Sequence, residues 1–212
     1  MRKLLLSLTV LGLLALAFAS PARADTVSYD LSAGNAALSG YSGPYGNVTV
    51  NRTSSTTATI TFTSNTSGTS GYYYYFTDGG SADVNVNATT WTLGTITASP
   101  SATFTDGHSG QVDGWGRFNQ TTDAPNASTG YTSITFEITN TGGTWSSASG
   151  VLTPNADGYS VAAHIGVATS LGGSFAVTGY ASTPEPMSLL LLGTGLLGLG
   201  GLGLRRKGTH KE

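Results

Sequence analysis

The stretch Asp106-Gly107-His108-Ser109-Gly110-Gln111-Val112-Asp113 places two carboxylates and an imidazole in one short segment. Asp106, His108 and Asp113 are weak candidates for a metal site, because carboxylate oxygen and imidazole nitrogen are donors that hard or borderline cations accept. The segment lacks the Asp-x-Asp-x-Asp-Gly order of a calcium loop. A polar connection between strands is therefore expected, with no cofactor. His164 has Ser160 and Asp157 nearby in sequence, the residue types of a nucleophilic triad. No Gly-x-Ser-x-Gly elbow accompanies them, so a structural histidine is expected. Glu137 is the lone acid on its run and lacks a partner for a glycosidase pair. Asp78 and Asp83 flank Gly79-Gly80, where turn chemistry explains them. The chain reads as a non-enzyme.

Aromatic rings offer a different chemistry. In Tyr72-Tyr73-Tyr74-Tyr75-Phe76, alternation puts Tyr73 and Tyr75 on one face of a strand and Tyr72, Tyr74 and Phe76 on the other. One set can fill a core while the other is exposed, and exposed rings beside Asp or Asn are stacking platforms for sugars. Tyr73, Tyr75, Trp91 and Trp115 are the glycan-stacking candidates, and Trp145 is of the same kind. Thr57, Thr59, Thr61 and Thr63 share a face, but no sequence repeat aligns other threonines beside them. That row is expected to be a solvated polar surface.

The elements that must position these residues are strands. Thr57–Thr63 alternates threonine with Ala58, Ile60 and Phe62, and Tyr131–Thr139 puts Ile134, Phe136 and Ile138 on one face. Period-two alternation of β-branched and aromatic residues marks half-buried strands. Turn signals such as Asp78-Gly79-Gly80, Asp106-Gly107 and Thr141-Gly142-Gly143 separate the runs. The fold class predicted is all-β, an antiparallel β-sandwich or jelly-roll-like domain over residues 25–183. Strands are expected near 27–31, 47–52, 57–63, 72–76, 83–88, 91–97, 101–105, 111–118, 131–139, 159–166 and 174–180, with no helix longer than two turns.

Between residues 25 and 183, two arginines (Arg52 and Arg117) stand against nine carboxylates, a formal charge of −7 with histidine neutral. Phosphate backbones are bound by clustered cations, so nucleic acid is not an expected partner. The chain contains no cysteine, which excludes disulfides and thiolate chemistry.

Both ends carry transport signals. Arg2-Lys3, the apolar run Leu4–Ala19 and Ala22-Arg23-Ala24 form the three parts of a signal peptide over 1–24. Signal peptidase is expected to cut after Ala24, leaving Asp25 as the mature N-terminus. At the other end, Pro184-Glu185-Pro186 stops the strand pattern, and 188–204 is uncharged before Arg205-Arg206-Lys207. A helix of that length reaches roughly 25 Å, just short of the hydrocarbon core. The basic cluster and the tail 208–212 are expected to be cytoplasmic, with Pro-Glu-Pro on the outer side of the inner membrane.

Pro184-Glu185-Pro186, Ser188, the Leu/Gly-rich span and Arg205-Arg206-Lys207 resemble the PEP-CTERM sorting segment, over 184–207. The same module is also known as the ice-binding protein C-terminal domain. A weaker resemblance covers Val151–Tyr180, where Asn155-Ala156-Asp157-Gly158-Tyr159 and Ala162-Ala163-His164-Ile165 look like the last strands of many proteins with this segment. The resemblance implies recognition by an exosortase, cleavage near Pro186, an inner-membrane intermediate, and a final place at the cell surface or in extracellular matrix. It links the domain to exopolysaccharide or biofilm. The expectation is an exported, non-catalytic structural or surface β-domain. A carbohydrate-binding module for exopolysaccharide is the alternative, ahead of a glycan-active enzyme or an ice-binding protein.

Overall fold

The chain folds into thirteen strands in the computed structural model, which describes residues 25–67 and 70–183. The strands are β1 (Asp25–Leu31), β2 (Ala33–Gly34), β3 (Gly46–Arg52), β4 (Thr57–Ser64), β5 (Tyr73–Phe76), β6 (Ala82–Val84) and β7 (Trp91–Leu93). They continue with β8 (Thr97–Ser99), β9 (Thr105–Val112), β10 (Gly116–Asp123), β11 (Ser133–Asn140), β12 (Val161–Ala168) and β13 (Phe175–Ser182). Helical structure among the described residues is limited to the 3-10 turns Ala36–Leu38 and Ala148–Gly150. No helix among them is long and apolar enough to cross a membrane. The signal peptide, the sorting segment with its 188–204 span, and the tail lie outside the described residues.

The first sheet has the order β1-β3-β4-β11-β7, with β8 also paired to β11. The second has the order β2-β13-β12-β6-β10-β9, with β5 also paired to β12. All the pairings are antiparallel. One core lies between the sheets. The first contributes Val48, Val50, Ile60, Phe62, Ile134, Phe136 and Ile138, and the second Tyr74, Phe76, Val84, Val161, Ile165 and Val167. Phe62 and Phe76 meet edge-to-face across it, ring centres 5.9 Å apart. Each such side chain contributes about 1.5–3 kcal/mol by leaving water.

The outward residues of the first sheet form a polar face. Strand register sets Ser28, Thr49, Thr61, Thr135 and Thr97 side by side across five strands. Tertiary pairing supplies the alignment that no sequence repeat gives. The hydroxyls bond one another, Thr135 Oγ1 to Thr61 Oγ1 at 3.1 Å and Ser28 to Thr49 at 3.4 Å.

Several expected boundaries move. The run 91–97 is split into β7 and β8, which lie end to end along β11. Residues 101–104 are not a strand, and the expected turn at Asp106-Gly107 is inside β9. Gly107 is needed there for close approach: an added Cβ would collide with Thr121 Oγ1 and the Asp123 carboxylate. The expected strand 111–118 contains the real turn, Asp113–Trp115, between β9 and β10.

Candidate functional site

Two strand edges converge on one groove. Trp91 starts β7, at the edge of the first sheet, and Asp106 and His108 lie on β9, at the edge of the second. Between them is β10, whose register shifts between Phe118 and Thr121. Gln120 pairs with Val84, a core residue, and so points inward toward Trp91. The result is a groove of about 610 Å³ lined by Trp91, Thr92, Leu93, Asp106, His108, Ser109, Asn119 and Gln120.

A hydrogen-bonded chain spans it. Trp91 Nε1 donates to Gln120 Oε1 at 3.0 Å, and Gln120 Nε2 donates to Asp106 Oδ1 at 2.8 Å. The His108 backbone N–H also donates to Asp106 Oδ1 at 2.8 Å, and the His108 ring nitrogen Nδ1 lies 3.3 Å from Asp106 Oδ2. Trp91 is half-buried, while Asp106 and His108 are exposed. His108 adopts φ +53°, a conformation uncommon for a residue with a side chain and found where surroundings fix it. A second hollow of about 540 Å³ shares Asn119 and is lined by further amides (Asn85, Asn87, Asn140) and Trp145. Asn119 itself is committed to the backbone of Val86, giving and receiving one bond each.

This assembly can hold a hydroxyl-rich ligand: a ring to stack on, a fixed carboxylate and imidazole at the rim, and amides along the floor. It brings Trp91, Asp106 and His108 together. Asp113 is not with them. It lies in the turn at the far end of β9, where Asn35 Nδ2 donates to its Oδ2 at 2.8 Å. Among the described residues no group of three or more His, Cys, Asp or Glu is arranged to hold a metal ion.

The other aromatic candidates divide. Tyr73 is half-buried on β5. Tyr75 points away from the core as alternation requires, yet it is only 5 % exposed. Phe175 packs against its ring, and its hydroxyl accepts the Gly172 N–H at 2.7 Å. Trp115 is likewise buried, in a second apolar cluster with Val112, Phe118 and Ala162, edge-on to Tyr159. Neither is a platform for sugar, because loops from distant parts of the chain cover both. Trp145 is buried and donates Nε1–H to the Asn87 carbonyl at 2.7 Å.

His164 stacks on Tyr180, ring centres 4.3 Å apart, and its Nδ1 is bonded to the Asp78 carbonyl. The structural role expected for it describes these contacts. Asp25, the first residue of β1, accepts from Arg52 Nε at 2.8 Å and from the Ala148 N–H at 2.8 Å. The Ala148 N–H, and then the guanidinium, hold its carboxyl below the usual carboxylate range. Gln120, which ties the groove together, escaped the sequence reading. Its one signal is the polar run Asn119-Gln120-Thr121-Thr122 next to Phe118. No protein-family model, curated protein or solved structure matches this chain.

Proposed function

We propose that the chain is an exported, non-catalytic domain of the cell envelope or extracellular matrix, with a jelly-roll-like sandwich whose edge groove binds a neutral polysaccharide. The observation that carries the glycan reading is the Trp91–Gln120–Asp106–His108 chain lining an open groove. A charge of −7 over residues 25–183 repels anionic polymers, which favours a neutral partner such as exopolysaccharide. Asp106 receives bonds from Gln120 and His108, which suits a group that positions a ligand better than one that transfers protons. In this reading signal peptidase releases Asp25, and an exosortase acts at Pro184-Glu185-Pro186 while the 188–204 span holds the protein in the inner membrane.

A glycan array probed with the purified protein tests the binding reading. Neutral polysaccharide should be retained, and Trp91→Ala should weaken it about 3- to 10-fold, the range for one aromatic contact. Trp91→Phe, which keeps a ring but lacks the bond to Gln120, should fall between. Retention of no glycan by the folded wild-type protein would sink the binding reading. The sorting reading has its own test: Glu185→Ala should leave export intact while the uncut membrane form accumulates. Unchanged processing of that variant would remove the exosortase from the account.

A further inference from the structure

The outer side of the second sheet holds a carboxylate that the fold leaves unanswered. Asp83 lies on β6 between two core-facing residues, Ala82 and Val84, so its side chain points away from the core. It is fully buried all the same, and neither of its oxygens has a hydrogen-bond partner among the described residues. A buried charge without partners costs several kcal/mol, so natural folds pair such groups or give them a metal.

A glycine turn and a second carboxylate surround it. Gly79 and Gly80, at φ +65° and +72°, separate β5 from β6 where the two lie end to end along β12, and Gly80 sits beside Asp83. A Cβ on Gly80 would stand 3.1 Å from both Asp83 oxygens, so the glycine keeps the space before the carboxylate clear. The Gly80 N–H donates to Asp123 Oδ1 at 2.8 Å, which brings a second carboxylate to the same turn. The neighbouring donors point elsewhere: Tyr180 Oη to the Gly79 carbonyl at 2.7 Å, and the His164 N–H to the Gly80 carbonyl at 3.0 Å. The two arginines of the domain are engaged elsewhere, Arg52 with Asp25 and Arg117 with Ser109.

We propose that Asp83 and Asp123, under the Gly79–Gly80 turn, bind one calcium ion. The donors are oxygens, which excludes a thiolate- or imidazole-seeking ion, and His164 Nδ1 is already bonded to the Asp78 carbonyl. Calcium accepts irregular sets of carboxylate and backbone oxygens, whereas magnesium keeps several waters for which a fully buried carboxylate leaves little room. Asp123 is half-buried and Gly79 exposed, so the ion enters at the turn. With two carboxylates the site belongs to the weak class of extracellular modules, Kd about 10⁻⁴–10⁻³ M. Burial, and then the Asp123 charge, push the Asp83 carboxyl well above its usual range, and a bound cation would relieve both effects. The site is separate from the groove and stands whether or not that groove binds glycan.

Calorimetric titration of CaCl₂ into the purified, EDTA-stripped protein tests this, with thermal unfolding in parallel. One ion should bind, and calcium about 10-fold above Kd should raise Tm by roughly 3–6 °C. Asp83→Asn keeps the shape and removes the charge, so it should fold, bind at least about 10-fold more weakly, and show little calcium-dependent shift. Gly80→Ala should weaken binding by closing the space, while Asp30→Asn, on the other sheet, should change nothing. If calcium leaves the wild-type Tm unmoved, or stabilises Asp83→Asn as much as wild type, Asp83 is a buried acid and the proposal is wrong.

Discussion

The outer faces of the two sheets are built on opposite plans. That of the first sheet is a ladder of hydroxyls and amides: Ser28, Thr49, Thr61 and Thr135 meet in register, with Ser28 bonded to Thr49 and Thr135 to Thr61. That of the second sheet is roofed. The β9–β10 turn brings Trp115 over Phe118 and Ala162, Phe175 covers Tyr75, and the Gly79–Gly80 turn covers Asp83. The first face faces water and tolerates any small polar side chain. Where it is covered, the second has become an additional interior whose residues are held to interior rules, while Ala176 and Thr178 on β13 and Arg117 on β10 stay exposed. A sheet with one polar face is the ordinary antiparallel arrangement, and the roofed face is the departure from it.

The largest effect should come from the roof itself. Phe118 is fully buried although it lies outside the main core. Phe118→Ala should cost about 3–5 kcal/mol in urea unfolding, the range for an interior phenylalanine. A loss below about 1 kcal/mol would mean that the roof is a loose cover and that the two faces differ less than their burial implies.

The next effect separates the faces by pH. Asp83 has a raised pKa in the folded protein, so its contribution to stability is fully present below the unfolded carboxylate value. That contribution is lost as pH rises through the folded value. The titratable groups whose charges interact with it are Asp123 from β10 and Tyr180 from β13. Tyr180 is itself pushed up to about 12 by burial and then by the charges of Asp83 and the acids around it. In EDTA, Asp83→Asn should therefore match wild type near pH 3 and exceed it at pH 7, by roughly 1–3 kcal/mol for one orphaned polar group. Asp30→Asn, on the exposed edge strand β1, should show no such divergence. Parallel pH profiles for wild type and Asp83→Asn would show that the carboxylate is solvated and the roof open.

The same contrast explains what could be read from the sequence. β4 and β11 were visible because one face meets the core and the other meets water, which writes a period of two into Thr57–Thr63 and Tyr131–Thr139. The second sheet blurs that code. Ala162 and Ala163 are both buried because both faces of β12 are covered, so alternation vanishes there. Alternation correctly turns Asp83 and Tyr75 away from the main core, while Trp115, expected inside a strand, lies in the β9–β10 turn. It says nothing of what folds over them, since the covering segments are distant in sequence. The two Asp-Gly signals near 106 and 113 are locally alike, and only contact with Thr121 and Asp123 makes the first a strand. Trp91 stood out as a stacking ring and Asp106 and His108 as metal candidates, but nothing in the sequence joins the three into one groove. Gln120 did not stand out, because its inward direction depends on the register shift in β10.

The smallest effect on stability is expected on the hydroxyl face, and it carries the last test. Thr61 and Thr135 are half-buried, and their bond at 3.1 Å is made beside water, where a hydroxyl can bond solvent equally well. Valine has the same shape and an equal liking for strands, so Thr61→Val alone should shift stability by no more than about 0.5 kcal/mol. Replacing Thr49, Thr61 and Thr135 together should still leave Tm within a few degrees. Yet these three side chains stand on adjacent strands, and their conversion makes a continuous apolar strip across the sheet. Exposed apolar patches of this kind associate unless charges interrupt them, and residues 25–183 contain no lysine. The triple variant should therefore unfold like wild type but self-associate as its concentration rises, measured by light scattering. If it remains monomeric, the hydroxyl ladder is not what keeps this face apart from its copies. If it unfolds far below wild type, the ladder is structural and the two faces are closer in kind than their burial suggests.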